Sequence, residues 1–315
     1  MGCGLSILIF FVSKERVPKT DHTPSFKETF VVLGKNRLLI IVIFAAILGS
    51  TMVTANQCAD YIGNYIIIQN YTNFTQIFQD FLPGAQSTLV PNVDAAAAYD
   101  FWIPRGTIVT TLTVAIGVGM VPAMAIFPML RKKFSLKQIY IGSALFGLIV
   151  HTLCYVVMAQ DVTKANIYVL WVFLFLMGLP LGIYNVITYA LIADSVDYLE
   201  WKTGERQEGV CFAFQTFLSK VNAAVATFVF GQILDGTDFK AVDKSLVDNA
   251  GRQIFFQQSV DTQKMLLALV TIVPAVGFLL TIIPMFFNNY TGKVKEQAQK
   301  ELEEKREKLM ANSEN

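Results

Sequence analysis

Apolar residues run in blocks along this chain, and the polar ones gather between the blocks. Six blocks are continuous enough to cross a bilayer: residues 38–59, 106–130, 138–158, 166–193, 209–234 and 264–287. Each comes close to or exceeds the roughly 20 residues that a helix needs to span a hydrocarbon core about 30 Å thick. The pattern predicts an all-α polytopic membrane protein with a six-helix bundle over 38–287. Pro122, Pro128, Pro180, Pro274 and Pro284 lie inside blocks; membrane helices tolerate proline because neighbouring groups satisfy the freed carbonyls. Gly117, Gly119, Gly142, Gly147, Gly178, Gly182 and Gly231 suggest close helix–helix approach.

A shorter apolar run, residues 1–12, cannot span and reads as the end of a truncated transmembrane helix. Residues 13–37 then form a cytoplasmic middle loop. Met1-Gly2-Cys3-Gly4-Leu5-Ser6 also fits a myristoylation pattern. The two longer polar loops lie at 60–105 and 235–263, and the first carries Asn70 and Asn73 in glycosylation sequons that matter only in a eukaryotic source. Residues 288–315 alternate Lys and Glu at helical spacing and read as a solvated cytoplasmic tail.

Lysine and arginine set the orientation. One side collects Lys14, Arg16, Lys19, Lys27, Lys35 and Arg37, then Arg131, Lys132, Lys133 and Lys137, then Lys202 and Arg206, and finally the tail. The other side holds Arg105, Lys164, Lys240, Lys244, Arg252 and Lys264. Both ends of the six-span unit are therefore expected in the cytoplasm, at the cell membrane.

Composition agrees with a bilayer protein: 54% of the 315 residues are hydrophobic and only 16% are charged. No basic patch is interleaved with exposed aromatics, which argues against nucleic-acid binding. The four cysteines lack C-x-x-C spacing, so neither a disulfide framework nor a metal site is expected. The sequence contains no catalytic triad, H-E-x-x-H motif, phosphate loop or dinucleotide fingerprint, and no cofactor is expected. Asp194-x-x-Asp197 could serve a membrane transferase binding Mg²⁺-diphosphate, but its nearest counterpart, Asp235 to Asp238, falls on the opposite side.

Two clusters stand out between 178 and 235. Lys220 sits about twelve residues into its span, near mid-bilayer. An ammonium there costs at least about 2.5–3.5 kcal/mol on insertion scales and calls for a cavity or a carboxylate. Thr216, one turn earlier, and Gln215 and Asn222 beside it make a polar setting able to bind the hydroxyls of a polar solute. A structural lysine paired to one helix carboxylate is the alternative. Asp194, Asp197 and Glu200 recur every three residues on one helical face, with Arg206 close behind. They read either as an ion-paired gate that parts during transport or as a charged helix end in water. The basic turn from Phe127 to Phe134 is a hinge between rigid helices or a plain positive-inside loop.

Ala193-Asp194-Ser195-Val196-Asp197-Tyr198, Glu200, Arg206-x-Glu208 and Gln215-Thr216-x-x-x-Lys220 together resemble the glycoside–pentoside–hexuronide:cation symporters, the melibiose-carrier branch of the major facilitator superfamily. The likeness covers the chain as that family's C-terminal half. It implies alternating access driven by a Na⁺, H⁺ or Li⁺ gradient. Lys220, Gln215 and Thr216 would face the sugar cavity, and Asp194, Asp197, Glu200 and Arg206 would form the cytoplasmic gate. Asn185 stands where the melibiose carrier has a cavity-facing aromatic. The coupling-cation site is expected in an N-terminal half outside this chain. The expected partners are a sugar or glycoside, the bilayer, and a complementary half or second copy. A non-transporting fragment or regulatory membrane protein is the runner-up.

Overall fold

The computed structural model describes residues 34–67, 105–204, 206–240 and 258–313. The expectations for residues 1–12, for most of the middle loop and for the sequons at Asn70 and Asn73 lie outside them. The described residues form helices α1 (Arg37–Leu48), α2 (Cys58–Ile62), α3 (Arg105–Arg131), α4 (Leu136–Ala159), α5 (Ile167–Thr203), α6 (Glu208–Asp235), α7 (Val260–Phe286) and α8 (Lys293–Ser313). Helices α3 to α7 are each long and apolar enough to cross a membrane.

The first predicted span is broken. Its α-helix stops at Leu48, and Ser50–Gln57 continues as a 3₁₀ helix before α2 and a π turn at Gly63–Ile67. Ser50, Thr51 and Thr54 favour the change, because hydroxyl side chains compete for backbone groups and disfavour the α-helix. Thr54 Oγ1 donates to the Thr51 carbonyl at 2.6 Å. The break nests against α7 at Gly277, where a Cβ would stand 2.4 Å from Thr51 Oγ1.

Helix α5 departs most from its predicted bounds. It continues ten residues past 193 and ends where Gly204 adopts φ +79, the left-handed conformation that suits glycine. Its 37 residues are about 55 Å long at 1.5 Å per residue, well beyond a hydrocarbon core of about 30 Å. The acid cluster therefore rides on a helical extension of this span, beyond its predicted end at 193. Along its middle, α5 packs backbone to backbone on α3. A Cβ on Gly119 would lie 2.0 Å from the Phe175 carbonyl oxygen, and one on Gly178 would lie 2.2 Å from that of Ile116. Gly117, Gly142 and Gly231 have open space instead, so only part of the glycine pattern marks helix contacts.

Other ends are fixed by side chains. Ser135 and Gln138 close a capping box at the start of α4. Asn36 caps α1 by accepting from the Leu39 N–H at 3.0 Å, while its amide donates to the Ser195 carbonyl at 2.9 Å, tying α1 to α5. Deeper in, Thr281 Oγ1 donates to the Ala45 carbonyl at 2.8 Å. Its single proton is thereby used, so Tyr140 is the donor in their 2.5 Å contact. That relay joins α1, α4 and α7 in the buried interior. His151 is buried in α4 with Nδ1 2.8 Å from the Gly147 carbonyl, a packed histidine beside Phe278.

Candidate functional site

The contacts of Asn36, Arg131, Lys137, Tyr198 and Tyr290 bring the start of α1, the α3–α4 turn, the α5 extension and the α7–α8 junction to one end of the bundle. Lys137 holds this end together by donating to the Phe286 and Asn288 carbonyls at 2.9 and 3.0 Å. Arg131, Lys137, Arg206, Lys295 and Arg306, all assigned by the sequence to one side, thus meet at this end.

The three acids do not act as one face. A step of three residues turns a helix by 300°, so each acid is displaced by about 60° from the last, and the set fans out. Asp194, with its side chain 9% exposed, pairs with Lys295 of α8 and lies 3.9 Å from Arg131 Nη2. Asp197 and Glu200 form a second group. Arg206 Nη1 lies 3.1 Å from Asp197 Oδ1 and 3.0 Å from Glu200 Oε2, and Nη2 reaches Glu208 at 3.2 Å. Arg306 grips Glu200 with both nitrogens of a fork, Nε to Oε1 at 3.1 Å and Nη2 to Oε2 at 2.5 Å. It also reaches Asp197 at 3.4 Å. The Glu200 hydrogen bonds hold the Arg306 guanidinium above its usual pKa. Burial opposes the charge on Arg206, yet its bonds to Glu200 and Asp197 outweigh that and raise it as well.

Sequence reasoning missed the part played by α8. The tail helix is not simply solvated. Ala298 and Leu302 are buried at 0% and 3% exposure, and Trp201 Nε1 donates to Glu301 Oε2 at 2.7 Å. Lys202 sits 3.9 Å over the Trp201 ring and takes no part in the described ion pairs. A narrow apolar row, Val294, Ala298 and Leu302 at four-residue spacing, was the available signal. The surrounding Lys and Glu residues conceal it.

Lys220 lies on a different surface. About 18 Å along α6 from Glu208 at the helical rise, it is exposed, as are Thr216, Ser219, Ala223 and Thr227 on the same face. Among the described residues it has no ion-pair partner, so no described carboxylate claims it. Thr216 Oγ1 donates to the Phe212 carbonyl at 3.1 Å, and Gln215 is half-buried. Asn185, on α5, is exposed. Only 17% of the most apolar window of α6 is buried, against 61% for α7, which leaves one long side of α6 uncovered. Among the described residues, no group of His, Cys, Asp and Glu is placed to hold a metal ion. Cys154 and Cys211 are buried free thiols.

An all-helical bundle with five membrane-length helices, a charged network at one end and broad apolar flanks defines a multi-pass membrane protein. Residues 98–292 match the family described as MFS/sugar transport protein, and the chain belongs to that family. Its named relatives are membrane transporters, not enzymes. The chain is 31% identical over 121 residues to the "Putative sulfoquinovose importer" of Salmonella typhimurium, a match covering 38% of this chain and 23% of that protein. It is 29% identical over 141 residues to the inner membrane symporter YicJ of Escherichia coli, covering 45% and 27%. Against the raffinose carrier protein of Pediococcus pentosaceus it is 26% identical over 155 residues, covering 48% and 22%. The chain thus spans about a quarter of the length of these relatives.

Proposed function

We propose that this chain supplies one six-helix half of a cation-coupled sugar symporter working by alternating access. The observation that carries the proposal is Lys220, an ammonium at mid-helix on an uncovered face of α6. An unpaired charge at that depth must meet water or a polar solute, so this face borders an aqueous cavity. Lys220, Gln215 and Thr216 bind substrate from α6, and Asn185 does so from α5. The cavity is completed by a complementary half or by a second copy of this chain.

Asp194, Asp197, Glu200 and Arg206 form the gate at the cytoplasmic end, with Lys295 and Arg306 of α8 as further cationic partners. In the arrangement described here the pairs are made; the opposite state requires them to part. Na⁺ or H⁺ drives the cycle from a site outside this chain. Both ends of the six-span unit face the cytoplasm.

The test is uptake by proteoliposomes holding the chain under an imposed Na⁺ or H⁺ gradient, with raffinose as a neutral candidate and sulfoquinovose as an anionic one. The expected result is gradient-dependent uptake of a sugar that Lys220→Ala abolishes. Folded, monodisperse protein that moves no sugar under either gradient overturns the reading of the chain as a carrier. Uptake unchanged in Lys220→Ala removes Lys220 from the site.

A further inference from the structure

Helices α3 and α4 are consecutive, yet each packs along α5 and they scarcely touch one another. The resulting V encloses a groove of about 430 Å³, of the order of one fatty-acyl chain. Leu179, Pro180 and Ile183 of α5 line it together with Ile126 of α3 and Phe146 of α4. Met129, Leu145 and Ile149, one turn along from lining residues of the same helices, are exposed and apolar, the character of a lipid-facing surface. Ser143, one of its few polar groups, already donates to the Pro180 carbonyl at 3.3 Å. The groove therefore asks for an apolar occupant and not for a sugar.

One end of the groove reaches Phe134 and Gln138, directly beside the basic turn. There Lys132 and Lys133 are both exposed and in no described ion pair, whereas Arg131 faces Asp194 and Lys137 is held by backbone carbonyls. A greasy slot capped by two free ammonium groups is complementary to a molecule with an acyl tail and an anionic head. We infer that this groove is a binding site for an anionic phospholipid of the adjoining leaflet, its acyl chain between α3 and α4 and its phosphate on Lys132 and Lys133. The site does not depend on what the chain carries.

The test is native mass spectrometry of the intact chain, released from mixed micelles holding equal phosphatidylglycerol and phosphatidylcholine of matched acyl chains. Two surface lysines predict a preference for phosphatidylglycerol of roughly 30-fold. Lys132→Gln with Lys133→Gln should bring it to near parity. Gly142→Leu should lower retention of phosphatidylglycerol about tenfold although both lysines remain, since an added Cβ at Gly142 meets open space within the groove. Ile126→Trp fills the slot from the other wall and should act alike. Absence of a preference in the unaltered chain overturns the inference. So does phosphatidylglycerol retention that neither groove-filling variant lowers, because binding would then reflect diffuse surface charge.

Discussion

Glu200→Gln is the most exacting perturbation of the charged end, because two guanidinium groups converge on this carboxylate. A pair of unit charges about 3 Å apart is worth roughly 5 kcal/mol before desolvation at an effective dielectric constant near 20. Exposed pairs yield about 0–1 kcal/mol net, and breaking a buried one costs about 3–5 kcal/mol. Glu200 is 11% exposed, Arg206 24% and Arg306 33%, between those limits. Asp197 stays in reach of both arginines and takes up part of the loss. The expected penalty is therefore about 2 kcal/mol, or roughly 30-fold in the docking equilibrium of α8. Lys295 on Asp194 and the buried Leu302 continue to hold the helix, so it loosens without detaching. Hydrogen exchange over 293–307 reads this directly, since a single undocked helix of this length is only marginally stable in water. Exchange should quicken roughly 30-fold in Glu200→Gln and stay unchanged in Glu303→Gln, whose side chain is exposed. Exchange in Glu200→Gln within about twofold of the unaltered chain would refute the view that this network docks α8.

Thr281→Val should destabilise the bundle by about 1–3 kcal/mol, because it removes the buried hydroxyl that bridges Tyr140 and the Ala45 carbonyl. Adding Tyr140→Phe should recover part of the loss in a thermal melt; equal melting of the single and double variants would contradict the relay. Gly178→Ala should lower the melting temperature by driving a methyl into the Ile116 carbonyl, whereas Gly142→Ala should leave it unchanged. Acid should release the α8–Trp201 contact. The Trp201 N–H holds the Glu301 carboxyl below its ordinary value of 4.5, so the contact is present above that value and is lost as pH falls through the depressed one. Trp201 emission, followed with Trp102 and Trp171 replaced by Phe, should titrate with a midpoint below 4.5; a midpoint above it would contradict the assignment.

Hydrophobic blocks were sufficient to read an all-helical membrane bundle, because bilayer thickness leaves few other solutions for such a chain. Details that depend on a particular contact were less legible. The break after Leu48 depends on the residues that follow it and on the room Gly277 of α7 leaves for Thr51, a contact that hydropathy does not show. The length of α5 was hidden because hydropathy falls where the acids begin, whereas this helix runs on to Gly204. For the candidate site, the spacing of Asp194, Asp197 and Glu200 was visible but their division between two sets of cations was not. Arg206 lies within a few residues of its acids, while Lys295 and Arg306 come from about a hundred residues away. Lys220 was legible from its isolation in an apolar run.

The most direct measurement of the central claim is the reactivity of a cysteine placed at that position. Lys220→Cys, with the four native cysteines replaced, should react in proteoliposomes with a membrane-impermeant maleimide, and a transported sugar should slow the reaction. A cysteine there that reacts only with a lipid-soluble maleimide, and is indifferent to sugar, would place α6 against lipid and contradict the cavity.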